Sequence, residues 1–176
     1  MRRIFISAGH CGPKENGSID LLNEKKETIR IVNALHEYLK NDTDVMYATN
    51  QKLRERIDFV NFWCERSGLA IEFHFNKTNR KSGTECFVAN NARQESKNVA
   101  QELSQLVADT LSIYNRGPKY ERQSYLKKLG FVSETSCPAV IVEVCFLDNA
   151  DDVKKYNDNF DKFISVIGEY IKLKMQ

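Results

Sequence analysis

The sequence predicts a single α/β domain, with a twisted, mostly parallel sheet of about five to six strands and helices on both faces. Short apolar runs alternate along the chain with stretches whose apolar residues recur at helical spacing, the pattern of strands joined by crossover helices. One run, residues 138–145, is more apolar than the rest and reads as a central strand buried on both faces. The chain of 176 residues shows no internal repeat, low-complexity segment or linker. A chain of that length can bury roughly 70% of its unfolded surface, so one domain over 1–176 is expected.

Residues 2–8 read as a buried strand ending at Gly9. A turn-rich loop with Gly12-Pro13 and Asn16-Gly17-Ser18 follows. Residues 23–40 read as a helix with Thr28, Ile31, Val32, Leu35, Tyr38 and Leu39 on one stripe, Asn23 as its cap and Asn41-Asp42 as its stop. Residues 44–48 form a second strand and 51–66 a second helix, carrying Leu53, Ile57, Val60, Phe62 and Trp63 and closed by Gly68. Strands follow at 69–75 and 84–89, then a helix at 91–113 with Val99, Leu103, Leu106, Val107 and Leu111 in line. Residues 114–137 read as less regular, punctuated by Gly117-Pro118 and Gly130. After the 138–145 strand, a last helix is expected over 157–174.

Composition narrows the function classes. Lys and Arg number 26 against 24 Asp and Glu, so there is no basic footprint for nucleic acid, and none is expected as a partner. The mean hydropathy is −0.50 and no apolar run approaches the roughly 18 residues of a spanning helix, so membrane insertion is not expected. Three prolines and eight glycines exclude collagen-like or Pro-rich chains. The five cysteines, at positions 11, 64, 86, 137 and 145, include no Cys-x-x-Cys pair. This argues against a disulfide framework or a zinc knuckle and for buried thiols in a reducing cytoplasm. The apolar stretch after Met1-Arg2-Arg3 is too short for the core of a secretory signal, so the chain is expected to be made in the cytoplasm without one. Oligomeric state leaves no trace in the sequence.

Chemistry concentrates at a few positions. Of the three histidines, His36 lies mid-helix and reads as a surface residue, whereas His10 and His74 fall at the C-terminal ends of strands, where open α/β sheets bind ligands. Glu24 opens the first helix on its inward face; it either complements the helix dipole or holds a cation. Glu143 interrupts an apolar strand, where a carboxylate needs a buried ion pair, a metal, or a dry site that raises its pKa for use as a base. Two histidines, a carboxylate and a separate glutamate form the set a zinc hydrolase uses: three N/O ligands, an open position for water, and a proton acceptor.

These residues stand in a pattern that resembles the zinc-dependent N-acetylmuramoyl-L-alanine amidases of bacterial autolysins and phage endolysins, nearly end to end. Ile6-Ser7-Ala8-Gly9-His10 resembles the opening strand and first zinc histidine, and Glu24-Lys25 the pair whose Glu is the second ligand. Residues 53–61, with Arg56 and Asn61, resemble the second helix; Ile71-Glu72-Phe73-His74-Phe75-Asn76 resembles the strand of the third ligand. Gly83-Thr84-Glu85, the loop Arg116-Gly117-Pro118-Lys119, and residues 138–143 with Phe146-Leu147-Asp148-Asn149 and Asp152 complete the match. Departures are Cys11 and Cys145 where the family has glycine, Glu72 where it has a small residue, and Thr49-Asn50 for its Thr-Arg.

The resemblance implies one Zn²⁺ per chain held by His10, Glu24 and His74, with Glu143 passing the water proton to the leaving L-alanine amine. The substrate implied is peptidoglycan, cut between N-acetylmuramic acid and the stem peptide at the cell wall, as by a phage or prophage lysin. Asn76 is expected to touch substrate or support His74. Glu72 shares a side with His74 by strand alternation and is expected to orient the imidazole or form a more distant salt bridge. A zinc peptidase cutting within the stem peptide would use the same ligands. A non-catalytic wall-binding module would be expected to lack one of these four residues.

Overall fold

The computed structural model describes residues 2–78 and 81–176. Strands β1 (Ile4–Ala8), β2 (Val45–Ala48), β3 (Leu69–Asn76), β4 (Thr84–Val88), β5 (Asn115–Tyr120) and β6 (Ala139–Phe146) form one sheet in the order β2-β1-β3-β6-β4-β5. β2, β1, β3 and β6 are parallel; β4 runs antiparallel to β6, and β5 parallel to β4. The short connection 77–83 explains the reversal: it cannot hold the crossover helix that would bring the chain back for another parallel strand.

Helices cover both faces, as expected. α1 (Glu24–Tyr38), α3 (Gln94–Leu111), α5 (Ala150–Asp158) and α6 (Phe160–Met175) pack on one face, and α2 (Leu53–Trp63) and α4 (Gly130–Ser133) on the other. Alternation along the strands sorts the side chains between two cores. Ile4, Ile6, Ile71, Phe73, Val140 and Val142 join the larger core with Ile31, Leu35, Leu103, Phe163 and Ile167. Phe5, Ala70, Ala139 and Ile141 join the smaller one with Val60, Phe131 and Val132.

Two expectations need correction. Residues 114–137, less regular by sequence, do hold elements not foreseen: β5, a 3-10 turn (Glu121–Gln123) and α4. Gly117-Pro118 hid the strand, yet β5 is an edge strand with Gly117 at φ 74 and a register shift beside it, and an edge bulge tolerates both residues. The last helix is not one piece over 157–174. α5 begins at Ala150 under the cap of Asn149, whose side chain accepts from the amides of Asp151 and Asp152. It stops at Asn159 (φ −112, ψ 13), which leads into α6. The run Asn157-Asp158-Asn159 is poor in helix formers, and the break lets Tyr156, Phe160 and Phe163 all reach the larger core. Other boundaries shift by one to three residues.

Candidate functional site

Strand register brings the polar residues into a row. His74 on β3 lies opposite Glu143 on β6, Glu143 lies opposite Glu85 on β4, and Ser7 on β1 lies opposite Glu72 on β3. Just past Glu143, β6 carries one residue more than β3, and this bulge turns both Val144 and Cys145 into the larger core. The row therefore ends at the rim of the sheet, where the loops after β1 and β3 meet.

His10 lies two residues beyond β1 with φ 54, a left-handed conformation uncommon outside glycine. The turn sets its ring edge-on to His74, with centroids 4.9 Å apart. Gly9 makes this approach feasible, because a Cβ there would come within 2.4 Å of the His74 ring. Thr28 Oγ1 of α1 donates to the Gly9 carbonyl at 2.8 Å and clamps the strand end.

Glu24 is the first residue of α1, directly after the cap Asn23, whose side chain accepts from the Lys26 amide. Its Oε2 accepts from the Ser18 amide at 2.7 Å and its Oε1 from the Phe75 amide at 3.2 Å. Oε1 also lies 3.1 Å from His74 Nδ1 and 3.5 Å from His10 Nε2. Lys25 Nζ donates to the carbonyls of Gly12 (2.7 Å) and Glu15 (2.9 Å), fastening the intervening loop over the site.

His10, Glu24 and His74 each present a ligand atom, and these atoms lie within 4.8 Å of one another. Two imidazoles and a carboxylate suit a divalent cation of the zinc type. The electrostatics agree. Burial opposes charge on Glu24, but its hydrogen bond and charge interaction with His74, with help from His10, hold the carboxyl down at about 2. Burial likewise opposes a proton on His74, yet Glu24 and Glu72 raise its pKa well above the ordinary value. His10 is lowered by burial and by His74. Glu24 and Glu72 thus favour positive charge on His74, beside the spot where the imidazoles converge.

Glu143 completes the group. Among the described residues, its Oε2 is buried without a hydrogen-bond partner. Burial lifts its pKa to about 8; His74 opposes this, and Glu24, Glu85 and Glu72 add to it. An acid so placed takes up a proton readily near neutral pH.

Behind His74 stands a buried chain of charges. Glu72 Oε1 accepts from His74 Nε2 at 2.9 Å, while Oε2 accepts from Arg56 Nε and from Ser7 Oγ, both at 2.9 Å. Arg56 Nη1 also reaches Glu15 Oε2 at 3.1 Å and the Gln51 carbonyl at 2.6 Å. With Nε2 bound to Glu72, Nδ1 is the atom left to face Glu24. The role of Arg56 does not emerge from the sequence, although Arg56 sits in the apolar stripe of α2 between Leu53 and Val60, a place where a cation needs a buried acid. Asn76 Nδ2 donates to Glu85 Oε1 at 2.7 Å; Arg116 Nε (2.6 Å) and Lys119 Nζ donate to Glu85 Oε2. His36 is exposed and stacks on Tyr47, away from this cluster. Cys11 is buried with Sγ 3.4 Å from the Gln51 carbonyl.

Fold and site together define an α/β protein with a two-histidine, one-glutamate cluster of the kind that holds a divalent cation beside a proton-accepting glutamate. The N-acetylmuramoyl-L-alanine amidase family matches residues 4–172, and the chain belongs to that family. It is 26% identical to a 38.4 kDa protein of Clostridium perfringens described as uncharacterized, over 93% of this chain and 46% of that protein. It is also 26% identical to an endolysin of Bacillus phage SPP1, over 94% of this chain and 62% of that protein. The chain thus spans roughly half of these curated relatives. Its fold matches the catalytic domain of CwlV, an N-acetylmuramoyl-L-alanine amidase of Bacillus (Paenibacillus) polymyxa, with a TM-score of 0.77, 22% identity and full coverage of both chains. Among the described residues, no helix is long and apolar enough to cross a membrane.

Proposed function

We propose that this chain, as one catalytic domain over 1–176, hydrolyses the amide between N-acetylmuramic acid and L-alanine in peptidoglycan. The observation that carries the reading is the convergence of His10, Glu24 and His74 within 4.8 Å, with Glu143 opposite His74 in strand register, in a member of this family. The residues that would hold Zn²⁺ are His10, Glu24 and His74. Bound there, the ion supplies Lewis acidity toward the scissile carbonyl and toward water.

The chain's own groups do the rest. Glu143 takes the proton of the attacking water at the carboxylate and returns it to the amine of the departing L-alanine, so one residue serves as base and then as acid. Glu72 fixes the His74 ring through Nε2, and Arg56 and Ser7 fix Glu72. Asn76, anchored on Glu85, flanks the site and is assigned to orientation of substrate or strand end. The place of action is the cell wall; the similarity to a protein named endolysin supports release as a lysin.

The test is digestion of purified peptidoglycan by wild type and Glu143→Ala, with the zinc content of each measured. Wild type is expected to carry about one zinc and to free L-alanine amino groups without new reducing sugars. Glu143→Ala is expected to keep the zinc and lose at least ~10²-fold in rate. Amino groups freed from other stem residues would reassign the enzyme to peptidases. Zinc binding with no cutting would indicate a wall-binding module, and wild type without zinc or activity would overturn the site.

A further inference from the structure

A surface cavity of about 340 Å³ opens at the end of the sheet opposite the cluster of His10, Glu24 and His74. Pro138 and Ala139, where β6 begins, line it. So do Arg66 after α2, Arg93 and Ser96 at the start of α3, and Thr135 after α4. None of these side chains takes part in the proposed hydrolysis.

Several donors there go unanswered. α3 is 18 residues long and its N-cap is Arg93, with no side-chain bond to the first-turn amides. Arginine has no acceptor atom to offer them, and its cation sits at the positive end of the helix. Ser96, in that first turn, is 4% exposed, and its hydroxyl has no hydrogen-bond partner among the described residues. Thr135 Oγ1 is likewise buried without a partner among the described residues. A buried hydroxyl left unpaired costs about as much as a lost hydrogen bond. The chain on either side of Thr135 is fastened to the end of α2. Asn61 Nδ2 donates to the Glu134 carbonyl at 3.1 Å, the Ser136 amide donates to Asn61 Oδ1 at 2.7 Å, and Ser136 Oγ donates to the Glu65 carbonyl at 2.9 Å. The acids next in sequence are engaged elsewhere: Glu95 with Arg2 at 2.6 Å, Glu65 with Arg3 at 3.7 Å and Glu134 with Lys128 at 3.0 Å. Arg93 Nη1 donates to the Arg66 carbonyl at 3.4 Å, and neither guanidinium has a carboxylate partner among the described residues.

We propose that this cavity binds a phosphate group. The first-turn amides of α3 and the hydroxyls of Ser96 and Thr135 donate to its oxygens, and Arg66 and Arg93 balance its charge. Donors from three separate segments suit a tetrahedral anion, whose oxygens point in several directions, better than a planar carboxylate. The phosphate is either free or carried as a diester in an anionic polymer; the recognising chemistry is the same. The site lies apart from the proposed catalytic residues, and its occupation does not depend on the hydrolysis.

The test is titration of the intact folded chain with inorganic phosphate and, separately, with the diester glycerophosphoglycerol, followed through the amide proton–nitrogen resonances of each residue. The amides of Glu95, Ser96 and Thr135 are expected to shift together on one saturating curve, and sulfate to compete where chloride does not. Arg66 and Arg93 are exposed, so Arg66→Ala and Arg93→Ala are expected to fold and each to weaken binding at least ~10-fold, the effect of losing a hydrogen bond to a charged group. Thr135→Val keeps the shape; it is expected to weaken binding while leaving the free chain at least as stable, because it removes an unpaired hydroxyl. Shifts with the diester assign the ligand to a polymer, and shifts with inorganic phosphate alone assign it to the free ion; either sustains the proposal. No saturable shift of these amides with either probe, shifts confined to Gly9, His74 and Phe75, or binding unaltered in both arginine variants would overturn it. The wild-type titration is decisive by itself, and its readout is independent of amidase activity.

Discussion

Glu143 is a carboxylate whose burial and neighbouring charges oppose ionisation, and this has a consequence for stability. In the cation-free chain its folded pKa stands at about 8 against an ordinary 4.5. Between those two values the unfolded chain has shed this proton and the folded chain keeps it, so stability falls as pH rises through the window and stays low above it. Glu143→Gln removes the penalty. After chelation, the variant is expected to melt above wild type at pH 8.5, by an amount on the order of a few kcal/mol, and to match it near pH 4. A gain of equal size at both pH values would show that the effect is packing rather than ionisation. Glu72 stands one step behind the proposed ligands. Glu72→Gln keeps the shape but weakens its pairing with Arg56 Nε and its hold on His74 Nε2. Loss of such an orienting partner reduces metal affinity by about 10–100-fold, which competition with a chromogenic zinc chelator would read; unchanged affinity would make Glu72 only a counter-charge for Arg56.

At the scale of elements, the site depends on where helices begin and strands end. Glu24 is placed by the first turn of α1, so the cap and the proposed ligand are adjacent in sequence. Asn23→Ala removes the bond to the Lys26 amide, 3.0 Å long. It is expected to lower unfolding free energy by about 1 kcal/mol in denaturant titration, with a smaller loss of zinc affinity as the first turn frays; full stability would mean that Ser18 and Phe75 alone fix Glu24. The same elements show what the sequence discloses. His10, Glu24, His74 and Glu143 are legible because each breaks a local pattern: an imidazole at a strand end, an acid on an inward helix face, an acid within an apolar run. Arg56 and Glu72 are half-legible: Glu72 falls on the His74 side by alternation, but which cation meets it is decided by α2 packing on β1 and β3, between residues far apart in the chain. β5 and α5 are illegible for another reason. Gly117-Pro118 and the acids at 151 and 152 look like loop residues, and only an edge position and a cap at Asn149 turn them into a strand and a helix.

Across the whole molecule, the three side chains proposed as ligands come from the loop after β1, the start of α1 and the end of β3, and the unfolded chain has no reason to bring them together. On that proposal, cation binding is expected to be linked to folding. At a hundredfold excess over its dissociation constant, a ligand that binds only the folded chain adds about 2.7 kcal/mol, which for a chain of this size raises the thermal midpoint by roughly 5–10 °C. Addition of zinc to the chelated protein is expected to produce a shift of this order, reversed by chelator. Glu24→Gln should abolish the shift, because it removes both a ligand and the charge that faces the two imidazoles. Glu143→Gln should retain it, because Glu143 sits beside the ligands rather than among them. That pair of outcomes separates holding the ion from handling the proton. A shift that survives Glu24→Gln would place the cation elsewhere on the molecule, and a shift lost in Glu143→Gln would make Glu143 a ligand and leave the proton without an acceptor.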